Sequence, residues 1–115
     1  MMDENIIQVN RENRIAVITL NRPERLNAIN RGTIRAVTTF LEGAEDDEDV
    51  AVVILRGAGR AFSAGMDLKD DAAAGVSGKD GWRQVLSEDL DFLTRFWHFP
   101  KPTIAVVHGF CLAAA

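Results

Sequence analysis

The sequence predicts an α/β fold, and three observations carry that expectation. Val50 to Leu55 is a continuous apolar run of the kind that buried parallel strands show. Residues Asn30 to Ala44, and again Trp82 to Trp97, repeat apolar side chains at helical spacing. The segments follow one another as ββ-α-β-α-β, an alternation that favours a parallel sheet joined by right-handed crossovers.

Taken in order, Ile6 to Val9 and Arg14 to Leu20 flank the polar stretch Asn10-Arg11-Glu12-Asn13 and read as an antiparallel hairpin turning there. The second strand is apolar on both faces, so an interior place in the sheet is expected. Pro23 ends it, because proline has no N–H to give to a ladder. Asn30 suits the N-cap of a helix running to about Ala44, with Ile34, Val37, Leu41 and Ala44 on one face. Gly43 and the acidic run Glu45 to Asp49 stop that helix, since negative charge is unfavourable at a helix C-terminus. Asp70 to Gly81 mixes Ala, Gly, Ser and charge without periodicity and reads as a mobile loop, a possible lid. Trp82, Val85, Leu86, Leu90, Leu93 and Trp97 form a helical stripe. Pro100 and Pro102 then bracket the entry to a last strand, Thr103 to Val107, after which Ala113-Ala114-Ala115 reads as the start of another helix.

Composition narrows the function classes. The chain has 115 residues, the length of one domain, with a formal net charge of −4 and no broad basic field, so nucleic acid is not an expected partner. No apolar run is long enough to span a membrane. The opening residues lack both the basic and the apolar region of a secretory signal. The single cysteine, Cys111, excludes an internal disulfide framework and fits a reducing compartment, so a cytoplasmic location is the expectation. No metal-ligand spacing is present.

The most informative stretch is Gly57 to Lys69, which follows the Val50 strand. Gly65 can take φ > 0 at no Cβ cost. Asp67 can cap a short helix, leaving first-turn N–H groups free. Such an array stabilises a carbonyl oxygen that becomes negative. Asp67 itself suits a cap better than a catalytic acid. His98, between aromatic residues, reads as structural, and His108 is a weak catalytic candidate. Ser63 and Cys111 have no general base nearby in sequence to make them nucleophiles.

Three motifs resemble the crotonase (enoyl-CoA hydratase/isomerase) superfamily: Asn21-Arg22-Pro23-Glu24-Arg25-Leu26-Asn27-Ala28-Ile29, the Phe62-Ser63-Ala64-Gly65-Met66-Asp67-Leu68 core, and Lys101 to Phe110. They occur in the family's order and separations and cover nearly the whole chain. The resemblance implies the N-terminal portion of one crotonase-like domain over residues 1–115, a spiral of ββα units with nearly perpendicular sheets. It implies an acyl-CoA thioester as partner, coenzyme A being part of the substrate, with no separate cofactor and no metal. By position, Met66 N–H is the first oxyanion donor and Ala114 N–H the second. Arg25, Leu26, Ala28, Ala64, Gly65, Asp67, Leu68 and Lys69 would line the substrate, with Arg25 and Lys69 toward the coenzyme A phosphates. The departure is Ala113-Ala114-Ala115 where the family has three glycines. Alanine keeps its N–H, so the donor survives where φ is negative. The glutamates that handle water and proton in the family's hydratases would lie beyond Ala115, and the 115-residue chain alone is expected to be inactive. Hydration of a 2-enoyl-CoA is the first expectation. Isomerisation, hydrolysis or decarboxylation of an acyl-CoA are alternatives, as is a non-catalytic acyl-CoA-binding fragment. A trimer or paired trimers would be the family's assembly.

Overall fold

A computed structural model describes residues 5–115. Strands β1 (Ile7–Glu12) and β2 (Ile15–Leu20) form an antiparallel hairpin in which Glu12 faces Ile15. The turn is therefore Asn13-Arg14, not Asn10 to Asn13. Both residues have positive φ, 53° and 66°, as the tight primed hairpin turns require. Asn tolerates that region well, and the pairing of β1 carries on through the polar residues that look like a turn in the sequence.

Helix α1 (Arg31–Glu45) follows, capped by Asn30, whose Oδ1 accepts from Thr33 N at 2.9 Å. Strand β3 (Val52–Gly57) returns parallel to β2. A short strand β4 (Ala61–Ser63), helix α2 (Leu68–Ala73) and helix α3 (Gly78–His98) precede strands β5 (Thr103–Ala105) and β6 (Phe110–Cys111). The main sheet runs β1-β2-β3-β5, and β4 pairs with β6 in parallel as a second, two-stranded sheet. The interior place expected for β2 is thus observed. The expected loop at Asp70 to Gly81 is helical at both ends. Asp70 to Ala73 belong to α2 and Gly78 opens α3, because Asp67 caps α2 and its neighbours supply partners that local composition does not reveal. The last strand is shorter than Thr103 to Val107.

One face of β2 (Ala16, Ile18, Leu20) and Val53 of β3 meet Val37, Leu41 and Ala44 of α1 and Phe92 of α3 in the core. The stripe expected on α3 divides. Val85 and Phe92 are buried, whereas Leu86, Leu90, Leu93 and Trp97 are exposed, Trp97 at 85%. Burial on α3 thus follows the line Val85, Asp89, Phe92, one step round the helix from the stripe that the sequence suggests. Among the described residues no helix is long and apolar enough to cross a membrane.

The α1 C-terminus is closed from a distance. Lys101 Nζ donates to the carbonyls of Ala44, Asp47 and Val50, each at 2.7 Å. A cation there satisfies orphan carbonyls and complements the helix dipole. It also ties the acidic turn to the entry of β5. Lys101→Met should therefore destabilise the chain by about 2 kcal/mol, measured as a lowered urea midpoint with unchanged helical circular dichroism at low denaturant.

Candidate active site

The segment between β3 and α2 leaves the sheet and must satisfy its backbone by other means. Asn27, 2% exposed, does much of this. Its Nδ2 donates to the carbonyls of Ala58 and Ala61, and its Oδ1 accepts from Arg22 N at 2.8 Å. Ser63 Oγ donates to Asn27 O and accepts from Gly65 N. With its hydroxyl proton engaged and its side chain buried, Ser63 braces the loop and is no nucleophile. Two glycines permit the close approach. A Cβ on Gly57 would stand 2.4 Å from Phe62 O. Gly65 has φ 93°, and a Cβ there would stand 2.7 Å from Leu112 O and 3.3 Å from Ala114 N.

That last distance places Gly65, the residue before Met66, against the Ala113-Ala114 backbone. Met66 is paired with Ile29 in a one-residue parallel bridge: Ile29 N donates to Gly65 O, and Asp67 N donates to Ile29 O, both at 2.8 Å. In such a bridge the central residue turns its own N–H away from the partner strand. Neither Met66 N–H nor Ala114 N–H has a hydrogen-bond acceptor among the described residues. Ala114 also lines an apolar cavity of about 300 Å³, together with Leu20, Phe62, Phe92, Phe96 and Cys111; no carboxylate or imidazole is in its described lining.

The helix expected at Ala113 to Ala115 is instead a turn, closed by Ala115 N donating to Leu112 O at 3.0 Å. Ala113 sits at φ 51°, in the left-handed region, and Ala114 does not. The alanine methyl is thus strained at Ala113, not at the donor.

The remaining site residues divide into two clusters. Asp67 caps α2, accepting from Asp70 N at 3.0 Å. Its buried carboxylate also takes Arg22 Nη1 at 3.1 Å and Arg25 Nη2 at 3.0 Å. Arg25, expected at a coenzyme A phosphate, is held here by Asp67 and Asp70, because the acidic first turn of α2 faces it. Lys69 and Leu68 are exposed, Ala64 and Ala28 are half-buried, and Leu26 turns the chain at φ 51°. His108 is exposed, with Nε2 at 2.8 Å from Gly59 O, and Cys111 is a free, exposed thiol. Arg22, Asn27 and Ser63 carry the loop's geometry, yet sequence reasoning gave none of them that role. The positions lie inside the quoted motifs, which was the available signal.

The second cluster pins the other side of α2. Arg31 reaches Asp71 Oδ1 at 3.3 Å, Glu88 at 3.1 Å, and Asp89 more closely still. Asp71 is 1% exposed, and its Oδ2 has no hydrogen-bond partner among the described residues. Burial pushes the Asp71 carboxyl up, against the pull of Arg31 and with help from Asp89, Asp67 and Asp70. Asp70 moves the other way: the Asn30 hydrogen bond, with Arg22 and Arg25, holds its carboxyl below the ordinary range in spite of desolvation.

Two outcomes are expected. Ala113→Gly should raise stability by about 1 kcal/mol by removing a left-handed alanine, seen as a higher urea midpoint. The folded state binds the Asp71 proton more tightly than the unfolded chain, so this group's contribution falls as pH rises above the ordinary aspartate range. Asp71→Asn should therefore gain on the unaltered chain as pH rises above the ordinary aspartate value, in urea titrations. Asp70→Asn should show the opposite trend, because stability from a depressed carboxyl is present above that range and lost below it.

A family model described as enoyl-CoA hydratase/isomerase matches residues 10–115. The chain is 37% identical over 114 residues to a probable peroxisomal enoyl-CoA hydratase 1 of Arabidopsis thaliana, covering 98% of this chain and 41% of that one. It is 33% identical to the mitochondrial Delta(3,5)-Delta(2,4)-dienoyl-CoA isomerase of Mus musculus, covering 95% of this chain and 36% of that one. The crystal structure of an enoyl-CoA hydratase/isomerase from Xanthobacter autotrophicus Py2 superposes with a TM-score of 0.89 at 48% identity, covering 95% of this chain and 40% of that one. The chain therefore spans about two fifths of the length of these relatives. With the same fold, and motifs matched along nearly all of its length, the chain belongs to the enoyl-CoA hydratase/isomerase family.

Proposed function

We propose that residues 1–115 supply the thioester-polarising part of an acyl-CoA enzyme, and that its reaction is hydration of a 2-enoyl-CoA. The observation that carries this reading is the close approach of Gly65, which precedes Met66, to the Ala113-Ala114 backbone, with Ala114 lining an apolar cavity and both N–H groups unpaired among the described residues. A thioester carbonyl accepting from both would be polarised. Water then adds to Cβ, negative charge gathers on the carbonyl oxygen, and a proton returns to Cα as the enolate collapses. Fixed donors beside apolar walls stabilise that oxygen more than water would, because they need no reorganisation and act at low dielectric.

The cavity lining holds no carboxylate or imidazole to move protons. In this reading the acid and base therefore come from outside residues 1–115, which form the N-terminal portion of a single crotonase-like domain. Isomerisation is the second reading, favoured by the similarity to a protein named as a dienoyl-CoA isomerase. The same two donors would hold its enolate. Arg25 and Lys69 remain the proposed phosphate partners. Lys69 has its ammonium in solvent, and Arg25 would have to share its guanidinium with Asp67 and Asp70. The exposed thiol of Cys111 fits a reducing, cytoplasmic setting. A trimer or pair of trimers is the proposed assembly.

The experiment uses the longest natural chain that carries these residues. Met66→Ala keeps the N–H and should retain most turnover of a short enoyl-CoA. Met66→Pro deletes it and should lose about a hundred- to a thousand-fold in kcat, with folding checked by circular dichroism. A folded Met66→Pro protein at full turnover would overturn the assignment.

A further inference from the structure

We infer that Arg22 is the positioning residue of the Met66 N–H, acting through Asp67; this inference rests on the oxyanion reading above. The Arg22 side chain is 8% exposed and that of Asp67 is 3% exposed. Arg22 Nη1 donates both to the carbonyl of Ala28 and to Asp67 Oδ2, while Nη2 reaches Asp70 Oδ2 at 3.3 Å. Ala28 immediately precedes Ile29, and Asp67 immediately follows Met66. Ile29 and Met66 are the pair joined by the one-residue bridge. One guanidinium therefore straddles that bridge, holding the residue before it on one strand and the residue after it on the other.

The consequence is directional. The bridge bonds use Ile29 N–H and C=O, and the same two segments are tied nearby by Ala64 N donating to Leu26 O at 2.9 Å, so the heading of the Met66 N–H follows from how these segments are held together. No regular ladder flanks the bridge, so a side chain that spans it adds to the hold on its register. Nη1 holds the Ala28 carbonyl and Asp67 Oδ2 together, and the second prong of the fork, Nη2, is tied to Asp70 Oδ2, so the plane of the guanidinium is fixed in a way that a flexible ammonium would not reproduce. The electrostatics point the same way. Asp67, Asp70 and Asp71 crowd the start of α2, and Arg22 is the more deeply buried of the two arginines that face Asp67. Arg22 touches no reacting atom in this scheme. It sets where the donor points, so its loss should appear in the polarised state more than in binding.

The test uses the longest natural chain that carries these residues and a conjugated dienoyl-CoA, whose absorption moves to the red when its carbonyl is polarised. Arg22→Lys keeps the charge and loses the fork. Asp67→Asn keeps an oxygen for the α2 cap and loses the charge. Both should fold, hold KM within about three-fold, lower kcat by about ten- to a hundred-fold, and reduce the red shift of the bound dienoyl thioester. Lys101→Met, which loosens the fold elsewhere, should lower the urea midpoint and leave that shift intact. Folded Arg22→Lys and Asp67→Asn proteins with full kcat and full red shift would overturn the inference. Should Arg22→Lys not fold, Asp67→Asn decides; failure of both to fold would mark the pair as a folding element and overturn the positioning role. No red shift in the unaltered protein would instead overturn the oxyanion reading itself, and this inference with it.

Discussion

Buried backbone that leaves a sheet must still find hydrogen-bond partners, and the site depends on how the segment from Gly57 to Asp67 meets that constraint. Beyond Gly57, the last residue of β3, only the three residues of β4 carry a ladder. The segment's partners are backbone groups of neighbouring segments, such as Leu20 O for Ala58 N, His108 O for Phe62 N and Leu26 O for Ala64 N, together with three side chains. Asn27 pairs with the carbonyls of Ala58 and Ala61, Ser63 links Asn27 to Gly65, and Arg22 binds the carbonyl of Ala28 and the cap of α2. Each unpaired buried group would cost about 1–3 kcal/mol, so the loop has one well-determined course. The direction of the Met66 N–H is a by-product of that course.

Charge is used in the same manner around α2. This helix has only six residues and would not persist alone in water. Its acidic first turn suits the positive end of the helix dipole, but the carboxylates repel one another. Arg22 and Arg25 face Asp67 and Asp70 on one side, and Arg31 holds Asp71 and Asp89 on the other. Breaking a buried pair by removing one partner costs more than the pair contributes, because a charge is left desolvated. A short helix is thereby locked between α1 and α3, directly after the candidate donor. The balance is incomplete at Asp71, where one carboxylate oxygen has no hydrogen-bond partner among the described residues and burial favours the protonated form.

Apolar surface completes the arrangement. The cavity beside Ala114 is walled by core side chains of β2 and α3 as well as by the β5 and β6 region, so it is continuous with the hydrophobic interior. The strain of a left-handed backbone falls on Ala113, one residue before Ala114, whose N–H is the proposed donor. A glycine there would relax the turn, and the methyl of Ala114 stays with the cavity wall.

The sequence by itself determined the α/β class, the strand and helix order of the main sheet, the Asn30 cap and the buried face of α1, because those follow from short-range periodicity and local capping. What only the tertiary structure decided were contacts between distant segments. Asp70 to Ala73 reads as loop in the sequence and is helix because arginines from two other segments stabilise its acidic turn. Arg25, which the family resemblance turns toward the coenzyme A phosphates, is a partner of Asp67, 42 residues away. Asn10 to Glu12 reads as a turn and is strand because β2 supplies its ladder. Local composition carries no record of such partners: the free energy that sets these residues belongs to pairs brought together only when the chain has folded.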